Sequence, residues 1–281
     1  MTSAPVQRDS PKGWPILVVS LADAVERRRK ISAQLDALGL PFAFLDAVDG
    51  RDALAPRFEA QIDRRGTLAK LRHPLSDLEY ACALSHQLAY QEIVDKGWPG
   101  AIILEDDALL TRNLARFYEG RVYDAAPLIQ LFYFDAVAWK FGGRSTVAAK
   151  LVRLASPAWS TVGYSISAKA AATMRAYGVP LRSQADWPCD TTRLIGHYVT
   201  EPRLVLHADP ATTNSAIHEA REKLFPEDYD FTASFAKGWR RLISRASWQR
   251  LLTRRFKERR RLGFAFTPEE QASLLEVSTT L

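Results

Sequence analysis

The segment Ala101–Ala108, AIILEDDA, carries the densest chemistry in the chain. Four apolar residues of strand composition run straight into Glu105, Asp106 and Asp107. Adjacent carboxylates repel one another, and a divalent cation at a strand end relieves that repulsion while holding a phosphate. Oxygen ligands on a strand and turn suit a hard ion such as Mg2+ or Mn2+. A solvated acidic turn, or Asp107 capping a following helix, accounts for the same three residues. A second stripe of reactive side chains lies between Ser76 and Asp95. There Glu79, Cys82, His86 and Tyr90 recur at steps of three, four and four, which puts them on one face of a helix. Ala81, Leu84 and Leu88 take the opposite, apolar face. The opening S-D-L-E reads as a capping box, in which Ser76 and Glu79 satisfy each other's backbone amides. That use of Glu79 competes with any catalytic one.

These residues need a frame, and the first fifty positions supply it. Ile16–Leu21 reads as a buried strand, and Val25–Leu38 as an amphipathic helix carrying Ile31, Leu35 and Leu38, stopped by Gly39. Phe42–Asp46 reads as a second strand ending in AVDG. Strand, helix and strand within about thirty residues form a parallel crossover unit, and such units bind ligands at the carboxyl ends of their strands. Further strands are expected at Ala101–Leu104, Leu128–Phe134, Val162–Ser167 and Arg203–His207, with a helix at Ala168–Tyr177. The outline is α/β with a mainly parallel sheet.

Length and composition place limits on this outline. The 281 residues suit one large domain with an appended segment, and 47% hydrophobic with 25% charged residues is ordinary for a soluble globular protein. No run approaches the roughly 18 apolar residues of a membrane span. Trp14–Leu21 is too short for one and no cleavage-site pattern follows it, so a secretory signal is not expected. Cys82 and Cys189 are too few for a disulfide framework, which fits a reducing cytoplasm.

The net charge of +6 is concentrated. Between Lys237 and Arg261 eleven basic residues face one acid, Glu258, so this stretch carries +10 and the remainder −4. Phe235, Trp239, Leu242, Ile243, Ala246, Leu252 and Phe256 roughly share a helical face among those arginines. A basic helix with aromatic anchors suits an anionic membrane surface, although a charged helix docked on the body has the same composition. A nucleic-acid role is disfavoured by the acidic remainder and the lack of a recognised module. The expected organisation is a disordered lead-in over residues 1–13, a catalytic-type domain over 14–220 and a basic amphipathic helical tail over 221–281. The location expected is cytoplasmic, peripheral on the inner face of the cytoplasmic membrane.

Four blocks occur in order: ILVVSLADAVERRRKISAQLDALGLPFAFLDAVDG, LSDLEYACALSHQLAYQEIV, AIILEDDALL, and the looser TVGYSISAKAAATM followed by ADW. Together they resemble glycosyltransferase family 25, the lipooligosaccharide and procollagen galactosyltransferase family, over roughly residues 15–217. Ser20 stands where an asparagine is frequent in that family, and Leu78 where a glycine is usual. The resemblance implies a GT-A-type, Rossmann-like nucleotide-sugar-binding fold. It also implies transfer of a hexose, usually galactose from UDP-galactose, onto a sugar or hydroxylated acceptor.

On that footing each candidate receives a role. Asp107 is expected to ligate Mn2+ or Mg2+ directly, with Glu105 reaching the ion or the ribose. Asp106 is counted with the cofactor-binding residues as well, although alternate residues of an extended chain face opposite sides, which would point it the other way. Ser20, Arg27, Ala47 and Asp49 are expected to border the UDP-sugar, while Arg27 also reads as a solvated member of the E-R-R-R-K run and Asp49-Gly50 as a plain turn. His86 is expected to line the site with Glu79. Asp186, in QADW, matches the family's late aspartate and is the expected general base of an inverting transfer, with Asp190 as its rival. His207 and His218 are candidates for completing the metal shell. The acceptor is expected to be a glycan or lipid-linked saccharide of a bacterial surface. A non-catalytic nucleotide- or glycan-binding protein with the same fold is the alternative.

Overall fold

The computed structural model describes residues 13–208, 256–261, 263 and 265–275. The lead-in, His218 and most of the basic tail lie outside the described residues. The crossover unit forms almost where the sequence put it: β1 (Ile16–Ser20), α1 (Val25–Ala37) and β2 (Phe42–Asp46). Two helices, α2 (Arg64–Leu71) and α3 (Asp77–Asp95), lead to β3 (Gly100–Glu105). Ser76 caps α3 in the expected reciprocal box with Glu79.

β1 and β3 explain how the layers are built. Ile16 and Val18 join Ile31 and Leu35 of α1 in one cluster, whereas Leu17 and Val19 join Ala89, Tyr90 and Ile93 of α3 in another. Successive strand residues face opposite sides, so a strand apolar at every position is buried on both. The result is a sheet between helical layers, with α3 and α5 (Ala168–Gly178) on one face and α1 on the other.

After β3 the chain forms the short β4 (Leu109–Leu110), α4 (Asn113–Glu119), β5 (Leu128–Gln130), β6 (Asp135–Trp139), β7 (Arg144–Ser145), β8 (Lys150–Ser156) and β9 (Gly163–Ser167). Beyond α5 come α6 (Thr191–Leu194), β10 (His197–Glu201), β11 (Val205–Leu206), β12 (Lys257–Arg261) and α7 (Pro268–Ser273). The main sheet runs β12-β6-β8-β10-β5-β9-β3-β1-β2, with β7 on β8, while β11 pairs with β4. Seven of its ten strands point one way, and β8, β9 and β12 run against them. Because β9 lies between β3 and β5, neighbouring strands are parallel only at β1/β2, β1/β3 and β5/β10.

Two expectations change. The strand foreseen over Leu128–Phe134 leaves the sheet after Gln130, where Leu131 bonds to Gly163 and to the Leu204–Val205 backbone. This frees Phe132 and Phe134 to turn into a cavity. Within the expected tail, Pro268–Ser273 is helical, whereas Lys257–Arg261 is strand rather than helix and pairs antiparallel with β6. An open sheet edge offers a row of unpaired amides and carbonyls, and this segment covers it. Arg259 pairs there with Asp135, and Arg260 with Glu201. No helix among the described residues is long and apolar enough to cross a membrane.

Candidate functional site

The carboxyl ends of β2, β1 and β3 lie side by side, since Ser20 is in register with Asp46 and Val19 with Glu105. The acidic turn thus sits at the strand ends where crossover folds bind ligands. Its three carboxylates diverge as alternation demands. Glu105 continues the Ala101–Ile103 face toward α3, Asp106 turns to α1, and Asp107 meets the segment after β11.

On the α1 side, the Ser20 hydroxyl donates to Asp106 Oδ2 at 2.6 Å, and Arg27 Nη1 lies 3.3 Å from Oδ1. Ser20 is buried and its hydroxyl bonds to Asp106, which orients the turn. Burial lifts the Asp106 carboxyl above its ordinary value even against these two partners. Arg27 also approaches Asp107 at 3.9 Å, so its half-exposed guanidinium supplies positive charge to the turn.

Asp107 Oδ2 lies 3.3 Å from His207 Nε2, while Oδ1 is buried with no hydrogen-bond partner. Burial pushes its acidity down, yet the His207 hydrogen bond and charge, with Arg27, outweigh it and hold the carboxyl below its usual range. Burial opposes the His207 charge as well, and Asp107 brings that ring's pKa above its ordinary value. An orphaned acceptor beside a second carboxylate fits a hard cation. Glu105 is a matching donor, because its hydrogen bonds from Thr161 (2.7 Å) and His86 (3.2 Å) both fall on Oε1. Cys82, His86 and Glu105 also offer ligand atoms within 4.8 Å of one another. Burial, then the neighbouring carboxylates, hold the Cys82 thiol well above its usual pKa, and a protonated thiol is a poor ligand for a hard ion. Oxygen ligands suit Mn2+ or Mg2+ better than a thiol does.

A cavity of about 390 Å³ opens beside this turn. Its walls include Glu79, Glu105, Asp186 and His207, which come from four separate stretches of the chain. Asp186 Oδ1 accepts from the Ser160 amide at 2.7 Å, which fixes the carboxylate toward the cavity wall. Asp190 is spent elsewhere, capping α6 by accepting from Thr192 and Arg193. The structure thereby separates the two aspartates that spacing left as rivals.

Glu79 and His86 are both engaged by other protein groups. Glu79 Oε2 closes the capping box and Oε1 accepts from Gln184 at 2.9 Å, so both oxygens are engaged and the carboxylate serves as a wall. His86 is only 1% exposed and lies outside the cavity lining. Its Nε2 donates to Glu105, and its Nδ1 lies 2.8 Å from the Tyr164 hydroxyl, which contacts Tyr90 at 3.0 Å. His86 thus contacts Glu105, which itself lines the cavity. The stripe is on one face as expected, but both faces of α3 are buried, because Val48, Leu54, Leu75 and Leu181 pack on the Ala81 and Leu84 side. Ser85 explains the residue beside it: its hydroxyl accepts from the Val48 amide at 2.8 Å and so ties the AVDG loop to α3.

Ala47 and Asp49 line a second cavity of about 480 Å³ at the end of β2, together with Asp46, Val48 and Asp52. Asp49 is paired with Arg51, whose hydrogen bonds hold the carboxyl below its ordinary value. Gly50 is more than a turn residue, since a Cβ there would stand 2.6 Å from the Asp77 carbonyl at the start of α3. Trp159, Ser160, Thr161 and Gln184 also line the first cavity and escaped the sequence reading. They lie in loops without periodicity, and only the folded sheet brings them to Glu105.

Comparison with known proteins places this geometry in context. Residues 14–190 match the sequence model of glycosyltransferase family 25 (LPS biosynthesis protein). The lacto-N-neotetraose biosynthesis glycosyltransferase LgtB of Neisseria gonorrhoeae is 27% identical over 252 residues, 86% of this chain and 88% of that protein. LgtE of Neisseria meningitidis serogroup B is 39% identical over 100 residues, but that match spans only 34% of LgtE. The inactive glycosyltransferase 25 family member 3 of Mus musculus is 27% identical over 147 residues, 48% of this chain and 23% of that protein.

Proposed function

The chain belongs to glycosyltransferase family 25, and from that premise we propose that it moves a hexose, galactose from UDP-galactose, with inversion, to a saccharide acceptor in bacterial lipooligosaccharide or other surface glycan synthesis. The names of the LgtB and LgtE relatives support the pathway. The observation that carries the chemistry is the buried, unpartnered Oδ1 of Asp107 beside Glu105 at the end of β3. Asp107 and Glu105 would hold Mn2+ or Mg2+, which when bound neutralises charge on a departing diphosphate. The cavity at Ala47 and Asp49, at the carboxyl end of β2, suits the nucleoside. Asp106, held by Ser20 and Arg27, keeps its charge away from the leaving group's path. Asp186 takes the proton of the acceptor hydroxyl, a role typically worth about 10²–10⁴-fold in rate. The charge of the stretch 237–261 supports attachment to an anionic membrane surface, near a lipid-linked acceptor on the cytoplasmic leaflet.

The test is UDP-galactose turnover with Mn2+ in the wild type and in Asp107→Ala. Loss of a ligand that contributes several kcal/mol of charge stabilisation lowers the rate by about a hundredfold or more. Full activity of the variant in the presence of chelator would refute the metal assignment. The second reading, a non-catalytic nucleotide- or glycan-binding protein, draws support from the mouse relative whose name calls it inactive. Absence of turnover in a wild type that still binds UDP would favour it.

A further inference from the structure

The loop before β9 holds an aromatic side chain in an unusual way. Trp159 is 57% exposed, yet the backbone around it is pinned from every direction. Gln130 Nε2 donates to the carbonyls of Trp159 (2.9 Å) and Ser160 (2.8 Å) from within the sheet. The Trp187 indole donates to the Ala158 carbonyl at 2.5 Å, and the Ser160 amide is bound by Asp186. Thr161 donates to Glu105. Ser160 itself sits at φ +114°, a conformation that side-chain-bearing residues adopt only where the surroundings enforce it. The loop is thus held in place while its indole stays exposed at the rim of the cavity.

The geometry points to Trp159 as a stacking platform for the acceptor sugar, a role that rests on the glycosyltransferase reading of the same site. A pyranose ring has an apolar C–H face and a rim of hydroxyl donors. The cavity offers the complement, with Trp159 and Phe132 as aromatic walls and Glu105 and Asp186 as hydrogen-bond acceptors. Platform and base are linked directly, because Asp186 grips the amide of the residue that follows Trp159. A ring resting on the indole is therefore held in a constant relation to the carboxylate that receives its proton. A rigid platform also lowers the ordering cost of binding.

The experiment compares the full-length wild type with Trp159→Ala and Trp159→Phe, using N-acetylglucosamine and lactose as probes. Saturation-transfer NMR reads contact between the sugar ring protons and protein aromatic groups without requiring turnover. Steady-state kinetics read KM for each sugar separately from KM for UDP-galactose. In Trp159→Ala the ring-proton signal is lost and the KM of the accepted sugar rises about tenfold, against less than twofold for the donor. Trp159→Phe restores most of both. No saturation transfer from the wild type to either sugar, an unchanged sugar KM in Trp159→Ala, or an equal rise for donor and sugar would each overturn the platform. Failure of the parent reading looks different, since the wild type would then neither bind UDP in a thermal-shift assay nor turn over UDP-galactose.

Discussion

The ion pair between Arg203 and Glu270 couples the C-terminal segment to the cavity and yields the most quantitative prediction. Their side chains are 0% and 1% exposed. Arg203 Nε and Nη2 each lie 2.8 Å from the two Glu270 oxygens, and the guanidinium also donates to the carbonyls of Tyr133, Gly263 and Ala265. Its plane stacks 5.4 Å from the centroid of Phe132, a cavity wall, and Leu204–Leu206 carry the chain from there to His207. Removing one partner of a buried pair costs about 3–5 kcal/mol, because the other charge is stranded. The carbonyl partners of Arg203 soften that loss for Glu270→Gln, so the low end, about 3 kcal/mol, applies. At roughly 2–4 °C per kcal/mol for a chain of this size, the melting temperature falls by about 6–12 °C. Replacing both residues, Arg203→Met with Glu270→Met, leaves no stranded charge and destabilises less than the sum of the single variants. The pair also sets an acid limit. Burial opposes the Glu270 charge, but Arg203 and the Thr267 amide hold its carboxyl below the ordinary value of 4.5. A depressed carboxyl stabilises the fold above its unfolded value, and that contribution disappears as pH falls through the folded one. Wild-type stability therefore drops more steeply below about pH 4.5 than that of Glu270→Gln. Thermal and urea melts across pH 3–7 measure all of this. Single variants within 1 kcal/mol of wild type, or a strictly additive double variant, would refute the clamp.

Other outcomes follow from particular contacts. Ser85→Ala leaves the buried Val48 amide without its acceptor and costs about 1–3 kcal/mol in urea melts, with weaker UDP binding because the loop at the second cavity loosens. Gly50→Ala forces a methyl to within 2.6 Å of the Asp77 carbonyl and destabilises by about 1–3 kcal/mol, whereas a plain turn would tolerate it.

Much of this molecule is legible without its structure, because local rules govern those parts. The apolar run of β1 and the alternation that splits Glu105 from Asp106 are one-dimensional patterns with a geometric meaning. So is the capping box at Ser76. A charge cluster announces itself in the same way, since repulsion among neighbouring carboxylates is a property of the sequence alone. What could not be read was which long-range partner each side chain meets. Nothing near His86 says that Glu105 absorbs its proton donor, and nothing near Asp190 beyond the following threonines says that it caps a helix while Asp186 faces a cavity. The basic strand on β6 and the buried Arg203–Glu270 clamp are equally silent, because the free sheet edge and the dry pocket that accept them exist only once distant segments have packed. Periodicity and charge determine the elements and the acidic turn. Burial and hydrogen-bond geometry, which depend on residues a hundred positions away, decide which of its neighbours line the cavity.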